Sequence, residues 1–148
     1  MKSTFDKSTR DELIARINLL NENSNAEWGT MNVYQMIRHC ILWDEMVIGN
    51  KKYKRVNEGR LFGKKALMNV LKDENPLNRN SSSIPDFIIK ETNGDIANER
   101  IKWMAIVEQY ADFTDDKFNH PFFGKMTREQ IGYLAYKHID HHLRQFGK

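Results

Sequence analysis

A chain of 148 residues with 40% hydrophobic and 29% charged residues is long enough to bury one core without disulfides, and too apolar for a disordered segment. The formal charge of +3 is modest, the single cysteine excludes an internal disulfide or a multi-thiolate metal site, and no run reaches the length of a membrane span. The start, MKSTFDKSTRDEL, lacks the apolar stretch of a signal peptide, so one soluble cytoplasmic domain over 1–148 is expected. Lys51, Lys52, Lys54 and Arg55 form a short basic run with no nucleic-acid motif beside it, and neither nucleic acid nor membrane is expected as a partner.

The first predicted helix runs from about Thr9 to Asn21, where Thr9 and Glu12 have capping-box spacing and Leu13, Ile14, Ile17 and Leu20 form an apolar stripe. A second begins after Trp28-Gly29-Thr30, capped by Thr30 or Asn32, and stops near Gly49-Asn50. The long connection from Asn50 to Gly94 contains a short helix, because Leu61, Ala66, Leu67, Val70 and Leu71 fit helical spacing before Asn75-Pro76. A third main helix covers about Asp95 to Phe113. The fourth starts at Thr127, which makes a capping box with Gln130, and ends at Gly147. Almost nothing reads as a strand. Four main helices with one long crossover between the second and third predict an all-α four-helix bundle, a fold that builds metal and cofactor sites from side chains on facing helices.

His138 and His142 stand four residues apart in the last helix, so both imidazoles lie on one face, one turn above the other. They fall in the arc of Ile131, Leu134, Ala135, Ile139, Leu143 and Phe146, with Lys137, Asp140 and Arg144 opposite. An imidazole in such an arc costs free energy unless it meets a metal or a hydrogen-bond partner. A catalytic zinc usually takes three protein ligands, and His39, beside Trp43 in the second helix, is the best third candidate. Three neutral imidazoles suit zinc, nickel, iron or copper alike. The plainer reading makes His138 and His142 ordinary buried histidines bonded to backbone or water, with His39 unrelated.

Other residues take lesser parts. His141 lies at the boundary of the buried arc, as a fourth or alternative ligand or a hydrogen-bonding group at the rim. Asp44, in the apolar arc of the second helix, could orient a ligand, serve as a base or cap a neighbouring donor. Gln145 reads as support for a ligand or a terminal polar contact, Cys40 as a packed thiol, His120 as a turn residue, and Trp43 as a wall of the pocket.

The stretch WGTMNVYQMIRHC and the terminal HPFFGKMTREQIGYLAYKHIDHHLRQFG resemble the DinB-like superfamily of metal-binding four-helix bundles. The second stretch is particularly similar to an uncharacterised branch, a domain of unknown function in which a His-Pro-x-Phe-Gly turn precedes His-x-x-His-His-x-x-Gln-Phe-Gly. The resemblance spans nearly the whole chain and puts the metal-binding histidines on His39, His138 and His142. It implies a bundle that is often dimeric and binds zinc or nickel, with members that are thiol-dependent transferases, hydrolases or isomerases.

The expectation is a metal-dependent enzyme acting on a small molecule, as a hydrolase or as a transferase of a low-molecular-weight thiol. A three-histidine metal can lower the pKa of bound water or hold a thiol cosubstrate as thiolate. Asp44 and His141 are the acid–base candidates, although no carboxylate stands one turn from any ligand. The alternative is a non-catalytic bundle that binds a metal or a small molecule.

Overall fold

The computed structural model describes residues 1–115 and 117–148. Most are helical, in five α-helices: α1 (Lys7–Ile17), α2 (Val33–Val47), α3 (Asn57–Val70), α4 (Ile96–Glu108) and α5 (Arg128–Gln145). Short 3-10 turns at Pro85–Phe87 and Gln109–Asp112 and an antiparallel hairpin, β1 (Asn119–His120) with β2 (Gly124–Lys125), complete the described elements. Among the described residues no helix is long and apolar enough to cross a membrane.

Side-chain caps set three of these helices, two of them at the predicted Asn32 and Thr127. Asn32 and Gln35 close a reciprocal capping box on α2, and Thr127 with Gln130 does the same on α5. Each box satisfies backbone N–H groups that have no partner within the helix. Asp95 caps α4 by accepting from the Asn98 N–H. Gly49 ends the α2 segment at φ +90°, a left-handed conformation in which an L side chain is strained.

Both α1 and α2 pack against α4 and α5. One half of the core joins Leu13 and Ile17 of α1, Ile37 and Ile41 of α2, Trp103 of α4 and Leu143 of α5. The other half joins Trp43 and Val47 to Tyr110, Phe118 and Leu134. Each such side chain contributes about 1.5–3 kcal/mol when fully buried, so these contacts hold α2 and α5 in fixed register.

The structure departs from the sequence reading in three places. Helix α1 starts at Lys7, with Thr9 buried inside it and no capping box. The start is set instead by the preceding segment, where the Thr4 N–H donates to the Gly132 carbonyl and Arg10 donates to the carbonyls of Thr4 and Phe5. The helix also ends early, at Ile17, where Arg100 donates to the Asn18 and Leu20 carbonyls. In α3 the buried face is Gly59, Gly63 and Leu67, while Leu61 is 78% exposed. The two glycines let α3 approach the Phe122 backbone, since a Cβ at Gly63 would stand 2.0 Å from the Phe122 carbonyl oxygen. On α5, Lys137 and Asp140 are buried despite lying opposite the apolar arc. Lys137 donates to the Val70 and Asp73 carbonyls, and Asp140 pairs with Arg16 and Arg144.

Gly63→Ala is therefore expected to lower stability by about 1–3 kcal/mol through overpacking against rigid backbone. Urea denaturation beside an Ala substitution of exposed Lys64 measures it; equal midpoints would rule out the close approach.

Candidate metal centre

Helix α2 delivers His39, and α5 delivers His138 and His142, into one group whose ligand-capable atoms all lie within 4.8 Å of one another. The Nε2 atoms of His39 and His138 are 3.2 Å apart. Three histidines this close could hold a metal ion.

Hydrogen bonds fix the protonation of two rings. His39 Nδ1 lies 3.0 Å from the Phe87 carbonyl oxygen, which can only accept, so Nδ1 carries the hydrogen and Nε2 presents a lone pair. The Gln145 side chain bridges His142 to the backbone: its Nε2 donates to the Trp28 carbonyl at 2.8 Å, which turns Oε1 to His142 Nδ1 at 3.0 Å. His142 Nδ1 is then the donor, and its Nε2 keeps the free lone pair. His138 is different. Its Nε2 faces the lone pair of His39, and its Nδ1 is buried with no hydrogen-bond partner among the described residues. If Nε2 donates to His39, a bare Nδ1 lone pair is sealed in the core; if Nδ1 carries the hydrogen, two lone pairs face one another at 3.2 Å. A cation removes the second conflict. Two nitrogens on one tetrahedral zinc, at bonds of about 2.0–2.1 Å, stand about 3.3–3.4 Å apart, close to the spacing found.

Surrounding groups hold the rings. Trp43 stacks on His138 with centroids 4.3 Å apart and planes at 14°. His138 alone of the three keeps partial exposure as a residue, although its Nδ1 is buried. His141 is outside the cluster, half-buried, with its ring edge-on to Trp28 and 5.1 Å from that of His142. Asp44 faces α4: its two carboxylate oxygens accept from Trp103 Nε1 at 2.8 Å and the Tyr110 hydroxyl at 2.7 Å. Burial raises its carboxyl to about 7, against the pull of those two donors. The Cys40 thiol is buried against Met36, and burial pushes it well above its usual range. His120 accepts from the Phe122 and Phe123 N–H groups through Nδ1, which closes the turn between β1 and β2. The support of His39 by a carbonyl from the crossover had no signal in the sequence, because it is a backbone contact 48 residues away.

A family model described as a protein of unknown function, DUF1569, matches residues 2–148. The chain belongs to the DUF1569 family. No curated protein and no solved structure matches it.

In this DUF1569 chain the three rings are held neutral, the form a metal requires. Burial lowers the pKa of His39, with the Phe87 carbonyl opposing. Burial, then the neighbouring His142 and His39 rings, puts His138 well below its ordinary value. Burial and the His39 ring bring His142 down to about 3.

The unfolded chain takes up a proton on residue 142 near pH 6.5, whereas the folded chain resists it until about 3. The stability tied to the neutral ring is complete above pH 6.5 and is lost as pH falls between those values. Asp44 acts in the opposite sense as pH rises towards 7, so the His142 contribution is isolated by difference. In metal-free protein, the stability gap between wild type and His142→Gln is expected to change by up to about 1.4 kcal/mol per pH unit below 6.5, to the disadvantage of wild type. A gap independent of pH from 7 to 5 would contradict a neutral, desolvated ring.

Proposed function

We propose that this DUF1569 chain is a DinB-like metal-dependent enzyme, a hydrolase or thiol transferase for a small molecule, with zinc or nickel held by His39, His138 and His142. The observation that carries the reading is the pair of imidazole nitrogens at 3.2 Å, one of them locked as a lone pair by the Phe87 carbonyl. A divalent ion held by these three residues would supply Lewis acidity, the chemistry that hydrolysis by water or transfer of a thiol requires.

The chain's own groups do the rest. Gln145 keeps His142 in the tautomer with a free Nε2, as outer partners of metal-binding histidines do. Trp43 fixes the plane of His138 and excludes water from its covered face. Of the two acid–base candidates we assign the proton-moving role to His141, a reading supported by its half-buried position beside His142. Asp44 serves the α2–α4 contact through Trp103 and Tyr110. A non-catalytic metal-binding protein is the second reading, favoured by one feature: among the described residues the group holds histidines and no carboxylate.

Elemental analysis of purified protein is expected to find close to one zinc or nickel per chain. Saturating metal should raise the melting temperature by on the order of 10 °C over chelator-treated protein. His138→Ala should lose both the metal and the shift. Turnover of ester, amide or thiol-conjugation substrates by wild type but not by His138→Ala supports the enzyme; bound metal with no turnover supports the second reading. Protein without metal whose melting is indifferent to zinc overturns both.

A further inference from the structure

Beside the histidine group lies a cavity of about 380 Å³ whose wall includes Trp28, Arg79, His141, Arg144 and Lys148, with Glu27 the one carboxylate side chain. Arg144 is committed to Asp140 at 2.7 Å. Arg79 is not: its guanidinium lies over the Trp28 ring, 4.0 Å from the centroid, and among the described residues it has no carboxylate partner. The Lys148 ammonium likewise has none within ion-pair distance among the described residues. The Trp28 indole N–H is itself buried, with no acceptor among the described residues. A guanidinium offers its N–H groups as a planar fork, the geometry that matches carboxylate and phosphate.

The same wall touches the histidine group. His141 lines the cavity and its ring centroid is 5.1 Å from that of His142. The Trp28 carbonyl anchors Gln145, which in turn holds His142. We propose that this cavity is an oxyanion subsite, which seats the carboxylate or phosphate group of a small anionic substrate while the rest of that molecule passes His141 to the three histidines. The proposal rests on the metal-centre reading for its chemistry, but anion binding itself needs no metal.

The test is melting of the metal-free protein against inorganic phosphate and, separately, acetate, at fixed ionic strength made up with chloride. A saturable rise is expected with at least one anion, and the stronger of the two tells whether the seat suits phosphate or carboxylate. Arg79→Gln and Lys148→Gln should each weaken the apparent affinity about tenfold or more, whereas Arg60→Gln, on exposed α3 surface, should not. Because Arg79→Gln also removes the stacking on Trp28, Arg79→Lys, which keeps the charge, should fall between it and wild type. Phosphate or acetate binding retained in His138→Ala supports the subsite even if the metal reading fails. Protein that binds zinc but shows no saturable response to either anion overturns the subsite and leaves the metal reading standing. A response seen only after cobalt loading, with a shift of the cobalt visible bands, also overturns it, since the anion then sits on the metal.

Discussion

Three neutral imidazoles packed together in a water-poor interior are the constraint on which the other features depend. In water each ring nitrogen would be solvated; here Nδ1 of His39 and of His142 find fixed acceptors, and His138 either leaves a bare Nδ1 lone pair in the core or turns a second lone pair on that of His39. Protonating a ring would relieve either conflict, but burial opposes it at all three positions. A bound cation resolves the conflict by taking up the lone pairs that face it, its charge being met by ring nitrogens rather than by a proton on one ring. Metal binding and folding of the α2–α5 contact are thus expected to be thermodynamically linked.

Most of the remaining architecture serves that contact. Capping boxes at Asn32 and Thr127 set where α2 and α5 begin, and the apolar stripes of both helices set which faces meet. The connections then add the outer partners. The crossover between α2 and α4 brings the Phe87 carbonyl to His39, and the loop before α2 brings the Trp28 carbonyl to Gln145. Gly29 makes the second approach feasible: it lies at φ +82°, and a Cβ there would stand 2.5 Å from Gln145 Nε2. Loop and helix are therefore tied at the point where a ligand histidine is oriented, so a change in the loop should be felt at His142.

The helices and the histidine trio were legible because they depend on short-range patterns: capping spacings, apolar periodicity, and an i, i+4 pair inside an apolar arc. The juxtaposition of His39 with that pair follows once α2 and α5 bury their stripes against one another. What escaped the sequence depends on distant chain. Asp44 lies on the same apolar face as core residues, yet its role was decided by Trp103 and Tyr110, donors from another helix and the 3-10 turn after it. Lys137 and Asp140 sit opposite the arc, but the end of α3 and the flank of α1 cover them. Leu61 fits the α3 apolar pattern and is exposed because Gly59 and Gly63 let a backbone, rather than side chains, pack on the other face. Such pairings between distant segments have no local signature.

The most direct measurement is an anomalous difference map from crystals grown with zinc and recorded on both sides of the zinc edge. The account predicts a single strong peak about 2.0–2.1 Å from one nitrogen of each of His39, His138 and His142. A map with no peak there, or with the zinc seated on other residues while those three rings keep their spacing, would contradict it.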